Sequence, residues 1–230
     1  MARKQKRQRQ APPAAPRGTS DRDKAIDALI GLLAEHRFED VGLAEVAGRA
    51  GLKLSQLRAE FGSTLAILAG HIKEIDRAVL AGGDGDMSEE PARERLFDVL
   101  MRRLEALAPY KEAVRSVMRS ARCNPGLAFA LNAMAFRSQR WMLEAAGISA
   151  SGPRGALHAQ GAALMFARVL AVWVDDEEPG LDRTMAALDR GLASAARWAG
   201  FLDDLCAIPC ALRGPRRRRR ARDEEEAEAA

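Results

Sequence analysis

Few residues in this 230-residue chain combine the types and spacing that chemistry needs. His36, His71 and His158 are scattered, and none stands with a serine, cysteine or acid in a triad-like arrangement. Cys206-Ala-Ile-Pro-Cys210 is spaced C-x3-C, but no second pair and no nearby histidine completes a metal site. No glycine-rich phosphate loop appears. The acids at 175–178 read as a solvated turn beside the next helix. The chain is therefore expected to be no enzyme and to carry no metal or cofactor. What remains is the chemistry of contact. Arg49, Lys53, Gln56 and Arg58 gather around Gly51 in "GRAGLKLSQLRAEF" (48–61), two short apolar-faced helices joined by a glycine turn. That is the pattern of a helix-turn-helix, whose cationic and amide side chains can hold phosphates and read base edges.

The elements that must position this cluster are all helical. Ser20 and Asp23 fit an N-terminal capping pattern, and Ile26, Leu29, Ile30 and Leu33 fall on one face of a first helix. Leu43, Val46, Ala47 and Ala50 mark a second helix, and Gly51 after it permits the left-handed turn. Leu54, Leu57 and Phe61 form the face of a third. Ser63 can cap a fourth, which Leu65, Leu68, Ile72, Ile75 and Val79 extend to about Leu80. The segment 81–86 is a loop. Beyond it come helices on Leu96–Leu107, on Val114–Met118, from Asn124-Pro125 to Gly147, from Ser151-Gly152-Pro153 to about Val174, and from Leu181 to about Leu205. No strand pattern competes.

Composition agrees. Hydrophobic residues make up 47% and aromatics 5%, with abundant Ala and Leu, a mix that favours helices. The net charge of +4 sits in the tails: residues 1–20 carry +6 and residues 211–230 carry +2, which leaves the body at −4. Residues 1–19 read as a disordered basic arm and 206–230 as a disordered Arg-rich, then acidic, tail. Either tail can touch nucleic acid without reading its sequence. Three cysteines and no apolar signal segment suit a reducing cytoplasm. The longest apolar stretch, 156–174, is interrupted by His158, Gln160 and Arg168 and reads as a buried helix.

Residues 24–68 resemble the TetR family of regulators. The likeness rests on Ile26-Leu29-Ile30-Leu33, Phe38, Val46-Ala47, Ala50-Gly51, Leu52, Leu57, Phe61, Ser63 and Leu68. It implies an all-α protein in two parts: a three-helix helix-turn-helix head (20–66) and a helical effector-binding and dimerisation bundle (67–205). It further implies a homodimer that reads a palindromic double-stranded DNA operator, acts as a repressor, and answers a small apolar effector. Lys53, Ser55, Gln56 and Arg58 would face DNA, with Arg49 on the backbone side. Gly42, Glu60 and Thr64 stand where the family usually carries Thr, His and Lys.

The second half is also similar to the TetR-like lipid-binding family of ubiquinone biosynthesis. Trp141 with Ala146-Gly147, Trp173 with Asp175-Asp176, and Leu188-Asp189-Arg190 carry this likeness. It implies, as the alternative function, a TetR-shaped lipid binder without sequence-specific DNA binding. On either resemblance Met101, Met118, Met134, Met142, Met165, Phe166 and Trp173 are the candidates to line an apolar pocket, methionine being adaptable to irregular ligands. Leu181, Met185, Leu188, Leu192 and Ala195, with the helix 156–174, are the expected dimer face.

Overall fold

The computed structural model describes residues 20–83 and 90–195. The basic arm, the tail with Cys206 and Cys210, the loop at 84–89 and the end of the last expected helix lie outside the described residues. Helices α1 (Asp21–Glu35), α2 (Leu43–Ala50), α3 (Leu54–Glu60) and α4 (Thr64–Ala81) come first. α5 (Ala92–Leu107), α6 (Lys111–Cys123), α7 (Pro125–Ala145) and α8 (Gly152–Trp173) follow. A further helix, α9, covers 182–195. No strand occurs among the described residues.

Local chemistry sets the ends of these helices. Ser20 Oγ accepts from the Asp23 amide (3.2 Å), Ser63 Oγ from the Ala66 amide (3.1 Å) and Asn124 Oδ1 from the Leu127 amide (3.0 Å). Each satisfies a donor that the first helical turn leaves free. Gly51 ends α2 at φ 66° and ψ 30°, where a Cβ would be strained.

Packing divides the apolar residues into two cores. One joins α1 to α3 with the start of α4 and takes in Ala113 and Val117 of α6. The other fills the space among α4, α5, α7, α8 and α9. α4 runs unbroken through residue 66, so one helix serves both cores. α8 is long and apolar enough in composition to cross a membrane. Yet Ala159, Phe166, Val169 and Trp173 are all buried in the second core.

Two expectations change here. Asp176 is not solvated: it is 1% exposed, and its Oδ2 accepts from the Thr184 amide (2.9 Å) and hydroxyl (2.6 Å). It therefore caps the start of α9, and the Thr184 hydroxyl, foremost, holds its carboxyl below the usual range. Leu188 and Leu192 are buried in the second core of the chain itself. The large exposed apolar residues of α8 are instead Leu157 and Leu164, with the exposed Gly161 between them at heptad-like spacing.

Candidate nucleic-acid face and apolar cavity

α3 is seven residues long and buries one side chain, Leu57. Its remaining residues point outward, including Ser55 and Arg58, and Lys53 precedes it, exposed. Leu54 shares that outer surface at 56% exposure. The helix is steered from below by Phe61, whose ring packs beneath the Arg22 guanidinium at 4.6 Å.

Of the five candidate DNA contacts, three are open and two are occupied. Lys53, Ser55 and Arg58 are exposed with side chains free to turn outward. Gln56 is spent at the helix start: its Oε1 accepts from the Lys53 amide (2.9 Å), and its Nε2 donates to Asp21 Oδ2 (2.9 Å). Arg49 grips Glu35 with both prongs of its guanidinium, at 2.7 and 2.6 Å. The missing side chain of Gly31 makes room, since a Cβ there would meet Arg49 Nη2 at 3.3 Å. The Arg49 hydrogen bonds hold the Glu35 carboxyl below its usual range and raise the Arg49 guanidinium in turn. A carboxyl held low stabilises the fold above the ordinary carboxylate range, and that contribution fades on acidification. Arg49 thus ties α2 to α1. Its replacement by Gln should change stability only slightly, because the pair is exposed and screened by solvent. It should leave the salt dependence of any DNA binding unchanged, as a titration of binding at several salt concentrations would show.

α6 fastens the head to the body. Ser116 Oγ donates to the His36 carbonyl (2.7 Å), and the Phe38 amide donates to Ser120 Oγ (3.1 Å). Ser120 is fully buried, and its hydroxyl is also the main cause holding the Glu39 carboxyl below its usual range. At its other end α6 holds the C-terminus of α8. Lys111 Nζ donates to the Asp176 carbonyl (2.5 Å), and Arg115 Nη2 donates to the Val174 carbonyl.

Between these fastenings lies a cavity of about 480 Å³. Its walls come from both parts: Ile30 and Leu33 of α1, Leu68, His71 and Ile72 of α4, and apolar residues of α6, α7 and α8. The space is opened by small side chains, Ala121, Ala128, Ala135, Ala163, Ala167 and Ala171. Met118 and Phe166 of the expected pocket line it. Met165 faces a separate open groove of about 700 Å³ between α8 and α9. Met142 and Trp173 are packed in the second core, Met101 lies against that core, and Met134 is half-buried away from the cavity.

Polar groups on the cavity wall were absent from the sequence-derived set. Arg103, 6% exposed, donates from Nη1 to Asp76 Oδ1 (2.6 Å) and to Ser138 Oγ. Ser138 Oγ also donates to Asp76 Oδ1 (2.7 Å). The Arg103 guanidinium lies 5.4 Å from the Phe166 ring. Gln139, 1% exposed, His71 and Tyr110 share the wall, the last two in an edge-to-face contact at 4.6 Å. One signal for Arg103 was legible: it occupies an inward slot of the Leu96-Leu100-Leu104-Leu107 face, where an unpaired charge would be costly. Among the described residues no group of three or more His, Cys, Asp or Glu could hold a metal ion.

No family model matches the sequence, and no curated protein matches it. Solved structures do. The TetR transcriptional regulator from Nitrosomonas europaea is similar, at 23% identity over 77% of this chain and 98% of that one, with a TM-score of 0.60. A TetR transcriptional regulator from Rhodococcus sp. RHA1 is similar at 21% identity, over 76% of this chain and 95% of that one, with a TM-score of 0.53. This chain has the TetR fold. In that fold α2, Gly51 and α3 are the helix-turn-helix, and α5 to α9 form the helical bundle behind it.

Proposed function

We propose that the protein is a ligand-responsive transcription regulator, a cytoplasmic homodimer that reads a palindromic DNA operator through α3 and releases it when an apolar effector fills the cavity. The observation that carries this reading is the position of the cavity. Its walls include Ile30, Leu33, Leu68 and Ile72; α1, which bears the first two, packs on α3, and α4, which bears the others, packs on α1 in the same core. A ligand seated there bears on the supports of the DNA-facing helix. Through α6 it also bears on the link from His36 to Phe38. The effector shifts the equilibrium only by its unequal affinity for the DNA-bound and free arrangements. The second copy would pack on the Leu157-Gly161-Leu164 stripe of α8, which is already free of the protomer core.

A second reading has its own support. Arg49 and Gln56 are tied up in intramolecular bonds at the surface, and Glu60 is exposed at the end of α3. Both features suit a lipid binder that keeps the fold without reading DNA. Genomic DNA pull-down with sequencing, at two salt concentrations, separates the two. The regulator reading expects one palindromic site that stays enriched at the higher salt. Diffuse binding that vanishes with salt means that only the charged tails touch DNA, and the lipid-binding reading replaces it. Given an operator, Lys53→Ala with Arg58→Ala should flatten the slope of log affinity against log salt by about 0.9 per lost phosphate contact. An unchanged slope would remove these two residues from the interface.

A further inference from the structure

We propose that the cavity selects a neutral amphipathic molecule, an alcohol or phenol of about ten or more carbons, whose hydroxyl is buried against Gln139. This rests on the reading of the cavity as the effector site and adds the chemical class of the ligand.

Size and polarity set the class. The cavity holds about 480 Å³, and at about 30 Å³ for each water-sized group that is space for roughly 16 such groups. Most of its wall is Leu, Ile, Val and Ala, so the bulk of the ligand is hydrocarbon.

Charge narrows it. The buried cation of the wall, Arg103, is already matched by the carboxylate of Asp76, so the deep end of the cavity is neutral as it stands. A carboxylate or ammonium placed there would be an unbalanced buried charge, and burying such a charge is costly. Arg122 also lines the cavity but is exposed, so its charge is solvated rather than offered to the deep end.

Hydrogen bonding completes it. Gln139 is 1% exposed, yet its Oε1 is buried without a hydrogen-bond partner, and the Nε of Arg103 is likewise buried without one. Both residues line this cavity, and Ser138, the chain neighbour of Gln139, is the residue that holds Arg103. At this place the wall holds the Gln139 carbonyl oxygen as an acceptor and Arg103 Nε as a donor, each buried without a hydrogen-bond partner. Among small neutral groups a hydroxyl meets both needs, because it donates one hydrogen bond and accepts others. It also serves the amide of Gln139 in either of its two orientations. A ketone, an ether or a plain hydrocarbon leaves the carbonyl oxygen unserved.

Calorimetric titration of the full-length protein at pH 8 with 1-decanol and with sodium decanoate tests this. The wild type should bind 1-decanol at least about tenfold more tightly than decanoate. Gln139→Leu should weaken 1-decanol about tenfold and leave decanoate unchanged, as expected for loss of a buried hydrogen bond. Equal or tighter binding of decanoate, or no effect of Gln139→Leu, overturns the hydroxyl assignment. Ala135→Phe, which fills the cavity, tells that failure from failure of the cavity reading. If it blocks both amphiphiles, the cavity is the site and only the ligand class falls. If it blocks neither, the effector site lies elsewhere and both fall.

Discussion

Asp76→Ala should lower the free energy of unfolding by about 3–5 kcal/mol, among the largest effects of any single substitution in this protein. Asp76 and Arg103 are 8% and 6% exposed, and their contact at 2.6 Å joins α4 to α5. Ser138 brings α7 into the same network. Burial pushes the Arg103 guanidinium down, and the charge and hydrogen bond of Asp76 oppose that push. Removing the carboxylate leaves a buried cation with only a hydroxyl beside it. Replacing both partners by apolar residues of similar volume, Asp76→Leu with Arg103→Met, should recover most of the loss, because no charge is then stranded. Urea denaturation of the two variants checks this. A single variant within about 1 kcal/mol of the wild type would show that water reaches Arg103. Gln139→Leu should behave oppositely. It removes a buried carbonyl oxygen without a partner, so the ligand-free protein should become more stable by about 1 kcal/mol while losing its preference for the alcohol. A residue that costs stability in the empty protein and helps only when a ligand is bound belongs to a binding site.

Leu57→Ala should cost about 2–5 kcal/mol and, on the proposed function, abolish operator binding. Leu57 is 2% exposed and is the one residue that α3 buries. Seven residues are too few for a helix to persist alone in water, so the docking of this side chain is what keeps α3 formed. Hydrogen exchange followed by mass spectrometry gives a local readout. The amides of 54–60 should lose protection while those of α7 and α8 keep theirs. Retained protection at 54–60 would mean that the Gln56 contacts with Lys53 and Asp21 suffice to hold the helix.

By itself the sequence determined the run of helices among the described residues, the caps that begin several of them and the order in which they follow one another. The physical reason is that these signals are local. A serine or asparagine three residues before a backbone amide caps a helix wherever the chain later goes, as at Ser20, Ser63 and Asn124. A glycine takes the left-handed turn, as at Gly51. An apolar period of three and four residues marks the inward face, as from Ile26 to Leu33. Leu57 and Phe61 were legible as the anchors of the third helix for the same reason. Partners across the fold were not legible, because pairing depends on which helix faces are brought together. Arg49 and Gln56 were open cations and amides in the sequence. The folded head places Glu35 beside one and Asp21 beside the other, and only Lys53, Ser55 and Arg58 stay open. Methionines marked the expected pocket, but Met142 went to the core and Met165 to another groove. The cavity opened instead where alanines of α6, α7 and α8 face one another, a space that exists only after three helices have packed. The polar network behind its wall follows the same rule: Arg103, Asp76 and Ser138 come from three helices, and their neutral pairing, with the Gln139 carbonyl oxygen left unmatched, is a product of tertiary structure alone.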